Sequence, residues 1–202
     1  MPASRRILLA ALTAGGIITS ASAQTPPPTR IRGTVDGLAG DSLSITSRTG
    51  EKLSVHLAAD TTITAVLPTE IGAIKPGSFI GTAAMPRPDG TQVAIEVHLF
   101  PESMRGVGEG HRPYDLMPQS TMTNGTVGDV VGSSERTLKV AYKGGEKTVL
   151  VPEGTPIITL EPGSTALLVP GAHVIVFLAK AADGSFNAPR VLVGKDGMAL
   201  PM

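Results

Sequence analysis

Apolar and polar residues alternate with a period of two along most of this chain. Ile31 and Val35 share one face, with Arg30, Arg32, Thr34 and Asp36 on the other. Leu43 and Ile45 alternate with Ser42, Ser44 and Thr46, and Leu53, Val55 and Leu57 with Ser54 and His56. Val93, Ile95, Val97 and Leu99 alternate with Ala94, Glu96 and His98. This spacing predicts half-buried antiparallel strands, each with one face toward water.

The turn residues fall between these runs. Thr49-Gly50, Asp89-Gly90, Gly144-Gly145 and Asp183-Gly184 stand where tight hairpins need a residue at positive φ. Lys75-Pro76-Gly77 and Val169-Pro170-Gly171 fit turns in which Pro sets the second position and Gly accepts the third. Ahead of each lies a short stretch, 69–74 and 164–168, that predicts one helical turn. The expected order is three strands, a short fourth, a helical turn and two more strands. That resembles the order in an oligonucleotide/oligosaccharide-binding (OB) barrel.

The pattern occurs twice. Gly33-Thr34-Val35 returns as Gly125-Thr126-Val127, Gly50-Glu51-Lys52 as Gly145-Glu146-Lys147, and Pro76-Gly77 as Pro170-Gly171, at offsets of 92, 95 and 94 residues. Register slips therefore fall in turns. A duplication of this length predicts two similar small domains rather than a solenoid. The expected fold is all-β: two tandem small OB-like antiparallel β-barrels joined by a long structured connector. The first barrel is placed at 30–100, the connector at 101–121 and the second barrel at 122–202.

The run Gly-Thr-Val, Leu-Ser-Ile, Thr-Gly-Glu-Lys, Asp-Thr-Thr-Ile, Lys-Pro-Gly and Asp-Gly-Thr-Gln-Val-Ala resembles a secreted bacterial family. It is the one numbered 5666 among the domains of unknown function. The resemblance covers 30–99 well and 122–194 more loosely, departing where Asp60-Thr61-Thr62-Ile63 becomes Gly154-Thr155-Pro156-Ile157. Its motifs are turn and strand residues, so it implies a fold and transfers no catalytic residue. Similar chains sometimes carry a metal-transporter label. With no run fit to span a membrane after the leader, that implies at most a soluble partner of a transporter.

The ends point to export. Arg5 and Arg6, the apolar stretch 7–18 and Ala21-Ser22-Ala23 form an expected signal peptide over 1–23, followed by a Pro-rich spacer at 24–29. The paired arginines fit a twin-arginine or an ordinary secretory route, and the expected destination is the periplasm. Removing the signal leaves 179 residues with a formal charge of −2. A near-neutral chain with no basic run lacks the footprint of a nucleic-acid or anionic-lipid binder. Without cysteine, thiolate catalysis and Cys-ligated zinc are excluded.

Candidate chemistry concentrates in the connector, the one long segment without a counterpart. Arg112 and Tyr114 are the expected contact residues, with Arg105 beside them, because Arg and Tyr are enriched at binding hot spots. The first functional expectation is a non-enzymatic periplasmic module that binds a protein or small ligand there. The second is a metal site: Glu109, His111 and Asp115 stand within seven residues, His98 with Glu96 ends a nearby strand, and Met104, Met117 and Met122 add thioethers. Imidazole with thioether suits copper, and imidazole with carboxylate suits zinc. His56 and His173 are read as exposed strand histidines. Gly106-Val107-Gly108-Glu109-Gly110 lacks the Gly-Lys-Ser/Thr ending of a phosphate loop. No Gly-x-Ser-x-Gly elbow or Ser-x-x-Lys pair occurs, which leaves an enzyme of unrecognised type without sequence support.

Overall fold

The computed structural model describes residues 29–131, 136–181 and 184–200. The expected signal peptide and nearly all of the spacer lie outside the described residues. The first copy supplies β1 (Thr29–Ala39), β2 (Ser42–Ser47), β3 (Lys52–His56), β4 (Thr62–Pro68), β5 (Phe79–Pro86) and β6 (Gln92–Leu99). The connector holds β7 (Gly110–Pro113). The second copy supplies β8 (Thr121–Val131), β9 (Thr137–Tyr142), β10 (Gly145–Leu150), β11 (Ile157–Pro162), β12 (His173–Lys180) and β13 (Phe186–Gly194). Single 3-10 turns at Ile71–Ala73 and Thr165–Leu167 occupy the two stretches expected to be helical. Gly50, Gly77, Gly90, Gly144, Gly171 and Gly184 all have positive φ, as their turns require. The protein is all-β, and among the described residues no helix is long and apolar enough to cross a membrane.

The strands do not pair within their own copy alone. β1 pairs with β2 and β2 with β3, but β1 also pairs with β12, β12 with β13, and β13 with β3. Three first-copy strands and two second-copy strands thus close one five-stranded barrel. The complementary set makes a second ring of pairings: β8 with β9, β9 with β10, β10 with β6, β6 with β5, and β5 with β8. The expected division into one barrel at 30–100 and another at 122–202 is therefore corrected, because the copies exchange their last two strands.

The exchange runs through β4 and β11. β4 lies between β13 and β11, both second-copy strands, while β11 lies between β4 and β6, both first-copy strands. Leaving β4, the chain has already crossed to the other ring. Its sequence suits this central position: Ile63, Thr64, Ala65 and Val66 are all buried, as a strand covered on both faces requires.

The packing follows the pairing. One core gathers Val35, Leu43, Ile45 and Val55 with Val174, Val176, Val191 and Val193, so both copies fill it. A second gathers Ile80 and Val97 with Val127, Leu138, Val140 and Val149. A third lies between the rings and contains Val66, Ile158, Leu160, Ile175 and Leu192.

Two local features shape the rings. Gly33 and Gly125 stand where a neighbouring strand crosses closely: a Cβ there would meet Thr46 O at 2.2 Å and Ala141 O at 2.3 Å. The repeated Gly-Thr-Val is thus a close-approach position rather than a turn. A bulge between Ala83 and Ala84 leaves Ile95 unpaired, and it reverses the phase of β6. Ala94 faces the core before the bulge, and Val97 faces it afterwards. Pro189 occupies the corresponding irregularity in β13, where no ladder donor is needed. The face of β6 expected to be wet is instead covered: Gln92, Glu96 and His98 are all buried.

Candidate functional site: a cationic cleft between the rings

Residues opposite one another on neighbouring strands point to the same face of a sheet. Arg30 lies opposite Phe177, and Phe177 opposite Arg190, so these three form a row across β1, β12 and β13. On the other ring Arg112 lies opposite Met122, Met122 opposite Ala83, and Ala83 opposite Glu96. A neighbouring row holds Asn124, Gly81 and His98. The two sets face a cleft of about 210 Å³ floored by Leu160, Leu192 and Phe100 and walled on the connector side by Val107, Gly108, Arg112 and Tyr114.

The connector reaches the cleft because of its glycines. Gly106, Gly108 and Gly110 have φ of 83°, 59° and 131°, which L-residues rarely adopt. A Cβ on Gly108 would also crowd Arg112 and Asn124. The turns let β7 lie back along β8, where it pairs from Gly110 to Pro113. Asn124 Nδ2 donates to Val107 O, and Arg112 Nη1 donates to Gly108 O at 2.7 Å, fixing the loop over the cleft. Leu116 and Tyr114 are half-buried as their apolar bulk demands, whereas Met117 stays 48% exposed.

The electrostatics are lopsided. The Arg30 guanidinium lies 4.9 Å from the Tyr114 ring centre and 5.7 Å from that of Phe177, while Arg190 covers the same Phe177 at 5.2 Å. Cation–π contacts hold the two cations against the ring without neutralising them. Arg30 has a carboxylate partner in Asp115 at 3.0 Å, but Arg32 shares it at 3.1 Å. Among the described residues Arg190 has no hydrogen bond or ion pair, and Arg112 has only the Gly108 carbonyl. Burial first, then the charge of Arg30, pushes both guanidiniums below the ordinary arginine value. They stay charged, as arginine does in proteins. Burial raises the Tyr114 phenol, keeping it neutral and able to donate. The other carboxylate at hand, Glu96, is fully buried and bonded to His98 Nε2. Its second oxygen has no partner.

Of the residues expected to make contacts, Arg112 and Tyr114 line the cleft and Arg105 does not. Arg105 binds Glu102 and donates to Gly77 O at 2.9 Å, tying the connector to a turn of the second ring. The four expected metal ligands each have a separate partner. Glu109 Oε1 accepts from Lys143 N at 2.9 Å, and His111 Nδ1 meets Thr123 Oγ1 at 2.8 Å beneath a stacked Tyr142. Asp115 holds Arg30 and Arg32, and His98 holds Glu96. Burial, then Lys147, lowers the His111 pKa. Among the described residues no three His, Asp or Glu side chains converge on a metal position. Of the two strand histidines, His56 is exposed beside Asp41 and His173 is half-buried.

Comparison with known proteins finds no matching family model, curated protein or solved structure. The site therefore speaks through its chemistry alone.

Sequence reasoning missed Arg30 and Arg190. Both lie on strand faces that alternation alone assigns to solvent. One signal was available: Arg190 occupies the position equivalent to Glu96, and a charge reversal between copies at one strand position marks where the duplicated faces diverged.

Proposed function

We propose that this chain is an exported periplasmic binding module without enzymatic activity, and that its contact site is the cleft between the connector and the two rings. The observation that carries the reading is the convergence of Arg112 and Tyr114, from the unrepeated connector, on Arg30, Phe177 and Arg190, from three different strands. Four segments, the connector and three strands, supply one concave surface with an apolar floor and a few polar groups, which is how ligand sites are built. At about 210 Å³ the cleft is smaller than most drug-sized sites, which favours a small ligand, or the tip of a larger one, over a broad protein interface.

The cleft wall holds His98, bonded to Glu96, and among the described residues no Ser, Thr or Lys side chain hydrogen-bonds its other nitrogen. The copper or zinc alternative would require Glu109, His111, Asp115 and His98 to leave four separate partners. We further read each five-strand ring as an OB-like barrel. In the first, β1 lies between β2 and β12 while β3 runs parallel to β13, and this order supports the reading. The resemblance to the secreted family 5666 belongs to the same proposal.

The test is to screen small molecules by NMR and follow Arg112, Tyr114 and Asn124. Val107 is 42% exposed at the mouth, so Val107→Trp should cover the cleft without entering a core. Ligand shifts at these residues, abolished by Val107→Trp, are expected. Shifts that all map elsewhere, or that survive the Trp, refute the site.

A further inference from the structure

We propose that the ligand of this cleft is a small organic oxyanion, a carboxylate or phosphate on a compact apolar body, with the charged group held by Arg30, Arg112 and Arg190. The inference rests on the cleft being the binding site argued above, and it adds the ligand's chemistry.

Three guanidiniums from three separate segments line one small cavity, and of them only Arg30 has a carboxylate partner, Asp115, which it shares with Arg32 outside the cleft. Like charges gathered at a half-buried site oppose one another unless something neutralises them. Surface arginines ordinarily avoid this by pointing away into water. Here Phe177 fixes Arg30 on one side and Arg190 on the other, and the Gly108 carbonyl fixes Arg112. The positive charges are thus held in place before a ligand arrives. Preorganised donors of this kind lose little freedom when they bind, and the planar guanidinium matches the oxygens of carboxylate and phosphate two at a time.

The rest of the cavity defines the ligand's other end. Leu160, Leu192, Phe100 and Met122 offer an apolar floor, and Tyr114 supplies a phenol that donates to an anionic oxygen. A free inorganic ion would leave that floor uncovered. A compact body carrying one oxyanion fills both halves. The duplication gives a contrast within the molecule. The row equivalent to Arg30–Phe177–Arg190 is Met122–Ala83–Glu96, which carries no cation of its own. The positive charge there comes only from Arg112, brought by the connector strand. One site is expected, with no twin on the other side of the pseudo-symmetry.

Calorimetric titration of the purified protein with benzoate, phenyl phosphate, inorganic phosphate and uncharged benzamide tests this. Benzoate or phenyl phosphate should bind, more tightly than inorganic phosphate, with an affinity that falls as salt rises. Which of the two prevails identifies the oxyanion. Arg190→Met keeps the apolar stem against Phe177 and should weaken binding about tenfold or more. Arg112→Gln, at an exposed strand residue, should do the same without touching a core. Arg105→Gln, outside the cleft, should leave affinity unchanged. If benzamide binds as tightly as benzoate at a site blocked by Val107→Trp, the anion inference falls and the cleft remains a binding site. If no probe binds, or if Arg112→Gln and Arg190→Met both leave affinity unchanged, the inference is overturned.

Discussion

Val66 and Leu160 face each other across the β4–β11 ladder, and they occupy equivalent positions of the two copies, 94 residues apart. A residue paired with its own equivalent lies on the axis that relates the copies, so the molecule has a pseudo-twofold through its centre. Both side chains are buried, at 0% and 2% exposure, in the core between the rings. On either side of that pair the chain passes from one ring to the other.

Exchange of this kind couples the two halves in unfolding. Each ring core contains residues of both copies, so neither can lose its packing while the other copy stays intact. Calorimetry should show one cooperative transition, and Leu160→Ala should lower its stability by about 2–5 kcal/mol without splitting it. Two separate transitions in the unaltered protein would refute the coupling.

The repeated glycines should be sensitive in parallel. Gly33→Ala and Gly125→Ala each drive a methyl into a neighbouring carbonyl oxygen, at 2.2 and 2.3 Å. Backbone must shift in both cases, at a cost of about 1–3 kcal/mol or more. For a chain of this size that lowers Tm by roughly 2–12 °C. Gly37→Ala, where a Cβ meets nothing within 4 Å, is the control and should change Tm little. Gly81→Ala meets Asn124 Oδ1 at 2.7 Å and the Phe100 ring at 3.0 Å, and should disturb the cleft as well as the fold.

Asp115 should make stability depend on acid. Burial raises its pKa, but the Arg32 hydrogen bond and the charges of Arg30 and Arg32 outweigh that, leaving it below the ordinary carboxylate value. A group depressed in the folded state contributes stability above its unfolded pKa and loses it as pH falls through the folded one. Asp115→Asn should therefore be less stable than the unaltered protein at pH 7. The gap should close as pH drops below about 3.9, the value for an unfolded Asp. A gap that persists at pH 2 would show that the ion pairs do not cause it.

Metal should have no thermodynamic effect. With Glu109, His111, Asp115 and His98 each held by a different partner, copper, zinc or nickel gains no ready site among these four, and thermal-shift titration should leave Tm unchanged. A rise in Tm that His111→Ala removes would restore the metal reading.

Part of the candidate cleft was legible from the connector. Its lack of a counterpart singled out Arg112 and Tyr114, and its glycines announced a backbone held in unusual turns. Arg105 binds the Gly77 carbonyl and lies outside the cleft, and in the sequence a charged loop residue looks the same whether it faces a ligand or a carbonyl. Arg30 and Arg190 were hidden because alternation says which residues leave their own core and nothing about what covers them outside. The burial of Glu96 and His98, both named from the sequence as candidate metal ligands, was hidden for the same reason, and the bulge at Ile95 is a one-residue event without a strong sequence mark.

The sequence by itself determined most of the strands, the turns and the duplication, because period-two burial and positive-φ glycines are local requirements. It did not determine which copy completes which ring. The copies are alike, so β5 offers β8 the same face and register that β12 offers β1, and pairing within a copy or between copies satisfies the same pattern. Only the tertiary structure decided between them, by placing β4 and β11 side by side on the axis. That placement exchanges the strands, and it also brings Arg190 of one copy to Arg30 of the other across Phe177.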